Sequence, residues 1–362
     1  MEKIKKNSSK ILFVAVIALV CSWAMFSKAG NLNPSAPPGP TMKTLDEVEA
    51  RIPIKSLSGS ATALYVISQS GSYYLTGNIN GVIDKNGIEV TANNVTINLN
   101  GYSMIGAGYN AGTTGHAITG GSFIKITNGS IQLWRGNGIN VGSYNRINDI
   151  IVYHCGGTGI SVGGQSIISN CSSSANVSYG FSLGSSSTMY ACIAEWNESH
   201  GIVGGAISVI EKCSIHGNEG SGIDLGEEST IINCTSSDND GRGFDSGTDC
   251  VFTNCTAYGN GTDGIRAYNS KISNCTFNEN VNGITAAGSC LVMNNVCNSN
   301  SVGILVSSSG STIRGNNITN NTTGLNAPAH NYAAENTFYG NATNWTGAFT
   351  PGTNDMANVA IP

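Results

Sequence analysis

Two acidic residues and one basic residue occupy equivalent positions in three successive repeats of the sequence. Asp224, Asp245 and Arg266 lie 21 residues apart, and each comes two positions after a glycine. If each repeat contributes one β-strand, these side chains stack on one sheet face about 4.8 Å apart. Two stacked carboxylates repel each other, and Arg266, a shared proton or a bound cation would offset the repulsion.

This arrangement predicts two kinds of chemistry. A pair of carboxylates at this spacing suits glycosyl transfer, with one as nucleophile and the other as acid. With a hard cation and an arginine, the pair would instead support removal of a proton beside a uronate carboxylate. The expected cation is calcium, with Asp224 and Asp245 as its ligands. If the protein is an enzyme, Asp224, Asp245 and Arg266 are the predicted catalytic residues.

Four further residues are candidates for binding a ligand. His200, Arg242 and Asp263 each precede the glycine of a repeat, and Trp196 offers a ring on which a sugar face could stack. The alternative is an ordinary solvated surface, since outward positions of a repeat protein are polar in any case. Trp196 would in that case pack against Tyr179 or a neighbouring turn.

The elements that position these residues follow from three columns with the same period. A glycine followed by an apolar residue returns every 21 residues, at Gly138, Gly159, Gly180, Gly201, Gly222, Gly243 and Gly264. Cysteines and asparagines keep the same spacing, at Cys171, Cys192, Cys213, Cys234 and Cys255 and at Asn176, Asn197, Asn218, Asn239 and Asn260. A fixed period of this length indicates a solenoid, in which one repeat alone cannot bury its apolar face.

Each repeat consists of short strands and tight turns. Apolar residues alternate over three to five positions and lie among glycine, serine and asparagine, which is a strand pattern. A leucine-rich repeat would need a leucine skeleton, which the sequence lacks. We therefore predict an all-β, single-stranded parallel β-helix of about twelve coils, capped at both ends.

The chain resembles right-handed parallel β-helix repeat proteins of the pectin-lyase-like superfamily. The residues that carry the resemblance are the Gly-Ile pairs, the run Asn-Asn-Ile-Thr-Asn-Asn at 316–321, and the segments 71–78 and 94–101. It covers about 67–340 and implies the right-handed fold. The superfamily includes lyases, hydrolases, epimerases and adhesins. Catalytic motifs of its pectate lyases, polygalacturonases and alginate epimerases are absent here.

The sequence outside the repeats predicts further segments. Residues 1–29 have the basic start, apolar core and small-residue cleavage site of a signal peptide. A proline-rich linker at 30–43 and an N-terminal cap at 44–64, including a short helix from Thr44, precede the β-helix at 65–331. Aromatic residues at 332–362 are expected to form a C-terminal cap. We accordingly predict a secreted, periplasmic or cell-surface protein with no membrane span after processing.

The net charge of the chain bears on its possible partners, and the spacing of its cysteines bears on whether they form disulfides. Removing 1–29 takes away five lysines and one glutamate, which moves the formal charge from −5 to −9. An acidic chain argues against nucleic acid as a partner. The cysteine column needs no disulfides to explain its spacing, and free buried thiols are expected there and in Cys275. Cys155, Cys250, Cys290 and Cys297 lie outside that column.

Two functions from different classes follow. The preferred one is a non-catalytic β-helix that binds polysaccharide, such as a cell-envelope glycan, or serves a structural role. The constant period leaves no room for long loops that would wall a cleft, which favours this function. The alternative is a carbohydrate-active enzyme, a polysaccharide lyase or glycoside hydrolase, acting on acidic polysaccharide.

Overall fold

The computed structural model describes residues 51–348, 350–351 and 358–361. The predicted signal peptide, the proline-rich linker and the helix from Thr44 lie outside these residues. Within them, the regular structure is β-strand apart from one 3-10 turn at Ile54–Ser56. The strands run parallel and form three stacked ladders, so the all-β prediction is confirmed.

Ladder 1 is a sheet of fourteen strands, against the expected twelve or so coils. Each strand pairs in register with the equivalent strand of the next coil, for example Ile139 with Ile160 and Ile223 with Phe244. The period is therefore 21 residues along this part of the chain. The strands of ladder 1 are Ala63–Ile67, Asn86–Val90, Ile118–Gly120, Ile139–Val141, Ile160–Val162, Phe181–Leu183, Ile202–Gly204, Ile223–Leu225, Phe244–Thr248, Asp263–Tyr268, Asn282–Ala287, Val302–Val306, Thr323–Ala327 and Thr343–Gly347.

Ladders 2 and 3 follow ladder 1 within each coil and are joined by two long strands, Ile124–Gln132 and Arg146–Tyr153, which belong to both. Ladder 2 also contains Ile52–Pro53, Gly71–Tyr74, Val95–Asn98, Ile167–Ser169, Thr188–Tyr190, Val209–Glu211, Thr230–Ile232, Val251–Thr253, Lys271–Ser273, Leu291–Met293, Thr312–Arg314, Tyr332–Ala334 and Thr350–Pro351. Ladder 3 also contains Ile79–Asn80, Ser103–Ile105, Ser172–Ser174, Ile193–Glu195, Ser214–His216, Thr235–Ser237, Thr256–Tyr258, Thr276–Asn278, Val296–Asn298, Asn317–Thr319, Thr337–Tyr339 and Val359–Ile361.

The glycine column marks the point where each coil enters ladder 1. A side chain at Gly222 would overlap the Ser236 hydroxyl and lie 2.8 Å from the carbonyl oxygen of Gly243. The following residue, Ile223, is fully buried. Glycine is therefore required by close packing between coils, and the apolar residue after it fills the core.

The asparagine column lies buried inside the turn between ladders 3 and 1. Each amide donates to the Oδ1 of the next asparagine, with distances of 2.9 Å from Asn197 to Asn218 and 3.0 Å from Asn239 to Asn260. Each Oδ1 also accepts the backbone N–H of the asparagine one coil earlier, as for Asn197 and Asn218 at 3.1 Å. The column therefore satisfies the polar groups that the turn would otherwise bury without partners.

The cysteine column occupies the turn between ladders 2 and 3. Each thiol donates to the carbonyl two residues earlier, as from Cys213 to Glu211 at 3.4 Å. All ten described cysteines are buried and free, which confirms the expectation of free thiols. Burial raises the pKa of Cys155, which lies outside this column, to about 12, so that thiol stays protonated at neutral pH. After Cys275 the column continues with Asn295, whose Oδ1 accepts the backbone N–H of Cys275 at 2.9 Å.

The described ends of the solenoid differ from each other. Near its start, Ile54 in the 3-10 turn is fully buried against the first coils, inside the range predicted as a cap. At the other end the coil pattern continues beyond residue 331. Strand Thr337–Tyr339 pairs in register with Asn317–Thr319, and Phe338 packs against Trp345 with ring centroids 5.2 Å apart.

Candidate functional site

The three predicted catalytic residues lie side by side on the outer face of ladder 1. Asp224 pairs with Asp245 and Asp245 with Arg266, in the register that the 21-residue spacing predicts. The residue before each of them, such as Phe244, is fully buried and points into the core. Strand alternation therefore turns the two acids and the arginine outward together.

Asp245 is held by two arginines. Arg266 donates from Nε to Oδ1 at 2.9 Å and from Nη2 to Oδ2 at 2.8 Å, while Arg242 donates from Nη1 to Oδ2 at 3.2 Å. These bonds leave Asp245 only 8% exposed. The hydrogen bonds to Asp245 raise the pKa of Arg266 further above its usual value. The carboxylate thus fixes both guanidinium groups in one orientation.

Arg242 links this pair to a second carboxylate. Its Nε donates to Asp263 Oδ2 at 3.1 Å. The other oxygen of Asp263 accepts from Asn282 Nδ2 at 2.8 Å and from Thr285 Oγ1 at 2.9 Å. Both oxygens of Asp263 are therefore occupied. Asp245, Asp263, Arg242 and Arg266, with Asp224 beside them, form what we call the charged cluster.

Asp224 differs from the other acids of the charged cluster. Within the part of the chain that the structure describes, no hydrogen-bond donor reaches its carboxylate. Burial and the neighbouring Asp245 charge raise its pKa, against smaller opposing effects of His200 and the two arginines. The cause is geometric, since Arg266 lies two coils away from Asp224 and directs its Nε and Nη2 donors to Asp245. Asp224 is consequently a half-buried carboxylate whose proton affinity is raised.

His200 lies close to the charged cluster but has a structural contact of its own. Its Nδ1 accepts the backbone N–H of Ser221 at 2.9 Å, so this nitrogen carries no proton in the structure. Its ring stacks on Tyr179 with centroids 5.7 Å apart. The Ser221 hydroxyl in turn accepts the backbone N–H of Arg242 at 3.2 Å. In these three coils, the residue before the column glycine therefore joins its coil to the next by a hydrogen bond.

The structure separates Trp196 from the other predicted binding residues. Trp196 follows the ladder 3 strand Ile193–Glu195 and lies at the corner before the turn to ladder 1. It does not pack on Tyr179, because its contacts are with the neighbouring coil at His216 and Gly217. Its exposed fraction is 59%. The predicted residues therefore fall into two groups on two surfaces.

Calcium binding by Asp224 and Asp245 stays a prediction. Both oxygens of Asp245 already accept hydrogen bonds from guanidinium groups. Among the described residues, no group of three or more histidine, cysteine, aspartate or glutamate side chains is arranged to hold a metal ion. A cation at this pair would compete with Arg266 for the same oxygens.

Sequence reasoning missed three contributors to the charged cluster. Asn282 and Thr285 bond to Asp263, and the Tyr268 ring lies 5.7 Å from the Arg266 guanidinium. Asn282 comes 19 residues after Asp263 and not 21, so the regular period does not align them. Tyr268 was detectable, because it lies two positions after Arg266 on the same strand and alternation turns both outward.

The charged cluster is an island on ladder 1. The corresponding outward positions are uncharged on the coils to either side, at Asn140, Ser161, Ser182 and Val203 and at Thr285, Leu305, Asn326 and Thr346. The charged cluster is therefore bounded on ladder 1 by coils whose outward residue is uncharged.

Comparison with known proteins establishes the fold. Residues 202–323 match a family described as right handed beta helix region. The A-modules of the Azotobacter vinelandii mannuronan C-5 epimerases AlgE4 and AlgE6 superpose with TM-scores of 0.51 and 0.53, at 16% and 14% identity. The alignments cover 83% and 86% of this chain and 100% and 99% of the modules.

A third solved structure, the periplasmic alginate epimerase AlgG, aligns with a TM-score of 0.50 at 12% identity, over 82% of this chain and 78% of its own. No curated protein matches the sequence. The described residues contain no helix long and apolar enough to cross a membrane. The chain is therefore a right-handed parallel β-helix with the pectin-lyase-like fold, as the sequence predicted.

Proposed function

We propose that this right-handed parallel β-helix binds an acidic polysaccharide at the charged cluster of ladder 1. The observation that carries the proposal is the pair of partly exposed arginines, Arg242 and Arg266, fixed by one carboxylate on an open sheet face. Their side chains are 29% and 33% exposed. Arginine in a fixed orientation recognises planar carboxylates through paired N–H donors.

The guanidinium groups retain donors for a ligand. Arg266 uses Nε and Nη2 on Asp245, and Arg242 uses Nε and Nη1 on two carboxylates. An arginine has five N–H donors, so each keeps three free of these contacts. Because the internal bonds already orient the side chains, little rotamer entropy is lost when a uronate carboxylate binds.

The sequence and the comparisons support this ligand class. The solved structures with similar folds include epimerases whose names specify mannuronan and alginate as what they act on. The signal-peptide pattern of 1–29 supports placing the protein outside the cytoplasm, where such polymers are found. The first point supports acidic polysaccharides as the ligand class, and the second supports a location where the protein would meet them.

The test is affinity electrophoresis in gels containing polymannuronate or polygalacturonate, with neutral dextran as the reference polymer. Arg266→Gln and Arg242→Gln should each weaken retardation by about tenfold or more, since a charge-assisted hydrogen bond contributes about 1.5–3 kcal/mol. Arg314→Gln is the matched control, because Arg314 makes an equally close pair with Glu335 on ladder 2. Equal losses in all three variants, or no binding of either polyuronate, would refute the proposal.

A second candidate function is catalysis on the same ligand, favoured by the state of Asp224. Its carboxylate lacks a hydrogen-bond donor and has a raised pKa, which suits a group that accepts a proton at neutral pH. It would take the proton from the carbon beside a uronate carboxylate, while the arginines stabilise the negative charge that develops on that carboxylate. In epimerisation, water on the opposite face then protonates C5 and Asp224 releases its proton to solvent. In elimination, the C4–O bond breaks as the C4=C5 double bond forms, and the leaving oxygen takes the proton from Asp224.

Epimerisation, elimination and binding without catalysis can be distinguished by experiment. Proton magnetic resonance detects epimerised sugar, and ultraviolet absorbance detects the unsaturated product of elimination. Asp224→Asn should abolish turnover and retain binding, whereas Asp245→Ala should lose both because the arginines lose their anchor. Absence of both products from the wild-type chain, with binding intact, would leave the non-catalytic function. Calorimetric titration with calcium, repeated on Asp224→Asn/Asp245→Asn, tests the predicted ion.

A further inference from the structure

Trp196 combines an exposed ring with an unfavourable backbone conformation. The residue is 59% exposed and has a φ of 56°, in the left-handed region that bulky residues rarely adopt. The equivalent corner position on neighbouring coils is Ala175, Gly217 or Asp238, also with positive φ. The fold therefore imposes the positive φ on each of these coils but does not need an aromatic residue at this corner, so the exposed ring is the feature to be explained.

The neighbouring coil holds the ring in place. A Cβ added at Gly217 would lie 2.7 Å from Cε3 and Cζ3 of Trp196, so the indole covers the space that a side chain would occupy. The His216 ring meets the indole edge-on, with centroids 4.8 Å apart and planes at 89°. Trp196 consequently has one face covered and the other free, and its orientation is fixed before a ligand arrives.

Hydrogen-bonding groups lie beside the indole on the same coil and on the next two coils. His216 Nδ1 lies 3.2 Å from Asp238 Oδ2 and 3.1 Å from the Ser237 hydroxyl. The side chains of His216 and Asp238 are 36% and 47% exposed, so they can also bond to a ligand. Glu195 pairs in register with His216 on the preceding coil. A ring with adjacent carboxylates, imidazole and hydroxyl provides both stacking and hydroxyl recognition.

We infer that Trp196 is the stacking platform of a second glycan-binding surface, which takes a neutral pyranose of a polysaccharide. The apolar C–H face of the sugar would cover the free indole face, while its hydroxyls donate to Asp238 and Glu195. The neighbouring turn carries further exposed acids, Glu198 and Glu219. This negative surface disfavours uronates, so the ligand class differs from that of the charged cluster.

The experiment is affinity electrophoresis of the whole chain in gels containing hydroxyethylcellulose or galactomannan, two soluble neutral polymers. We expect retardation by at least one of them. Trp196→Asn should weaken it by about tenfold, because the variant removes the ring on which the sugar face stacks. Asparagine tolerates positive φ, so this variant keeps the fold, and an unchanged melting temperature verifies that.

Two further variants make the result specific. Trp196→Tyr should retain most of the retardation, because a ring remains at the corner. Arg266→Gln should not change binding of neutral polymers, which separates this surface from the charged cluster. Failure of both polymers to retard the wild-type chain would overturn the inference, and so would full retention of binding in Trp196→Asn.

Discussion

The buried turn columns and the outer face of ladder 1 arise from the same stacking of coils, but they vary in opposite ways. Inside the turn, asparagine repeats on successive coils from Asn176 to Asn260. On the outer face, Val203, Asp224, Asp245 and Arg266 follow one another in register and differ in chemistry. Identical residues repeat where the fold needs them, and departures from repetition mark candidate sites.

The reason for this difference is electrostatic. An amide is both donor and acceptor, so an asparagine can satisfy the asparagine on either side and the column can continue without limit. A charge cannot repeat in this way, because like charges on adjacent strands repel. Asp245 is tolerated because arginines lie beside it, and Asp224, which has no such partner, shows a raised pKa.

The largest loss of stability is expected from a variant that shifts the strand register of one coil. Inserting one residue after Gly222 would turn the inward residues of that coil outward and break its pairing with both neighbours. We expect a loss comparable with the whole net stability of a domain, about 5–15 kcal/mol. The same insertion after Gly108, in the loop that follows Ser103–Ile105, should cost far less. Equal melting temperatures for the two insertions would contradict the coil assignment.

A smaller effect is expected from one member of the asparagine column. Asn218→Ala removes the acceptor for the backbone N–H and the amide of Asn197, at 3.1 and 2.9 Å, and removes the side-chain donor to the Ala194 carbonyl. Buried groups without partners cost about 1–3 kcal/mol each, so we expect about 3 kcal/mol or more in urea unfolding. Asn140→Ala, on the outer face, is the matched control and should change little.

A second variant at Asn218 sharpens the comparison. Cysteine occupies the equivalent place in this turn at Cys155, whose backbone N–H donates to Asn176 Oδ1 at 3.0 Å. Asn218→Cys should therefore retain more stability than Asn218→Ala, because a thiol fills the space and can donate to a carbonyl. If the two variants unfold at the same urea concentration, cysteine stabilises this position no better than alanine, and the prediction is wrong.

The fold was predictable because its determinants are periodic. The spacing of Gly222 and Gly243 alone aligns Asp224 with Asp245, and strand alternation turns both outward. The bonding inside the charged cluster was not predictable in the same way. The 19-residue coil hides the partnership of Asp263 with Asn282, and stacking order cannot show that Arg266 bonds Asp245 and leaves Asp224 without a donor.

The predicted C-terminal end of the β-helix is a second case in which the repeat pattern of the sequence was not sufficient. We predicted the β-helix only up to 331, because the repeat pattern of the sequence is lost over 332–362. The turn asparagines continue it, since Asn336 accepts the backbone N–H of Asn316 at 3.0 Å and Asn341 that of Asn321 at 2.9 Å. A buried turn residue is a more persistent signal of a coil than the glycine that opens it, because its hydrogen bonds require the same chemistry on every coil.

The smallest effect concerns the two kinds of carboxylate in the charged cluster. The folded-state pKa of Asp224 lies above the usual value of 3.8, so ionisation of this carboxyl opposes folding and the penalty develops as the pH rises above 3.8. Asp224→Asn removes that penalty and should stabilise the chain slightly at pH 7, by roughly 0.5 kcal/mol or less. The gain should fade as the pH falls and vanish below 3.8, where the wild-type aspartate becomes protonated in the unfolded state as well.

Asp263→Asn is the control with the opposite sign. Asp263 accepts bonds from Arg242, Asn282 and Thr285, so the amide should destabilise the chain at pH 7. Thermal unfolding of both variants between pH 4 and 7 measures the contrast. A loss of stability in Asp224→Asn at pH 7 would show that its carboxylate has a partner in the folded chain, and the distinction between bonded and free acids in the charged cluster would then fail.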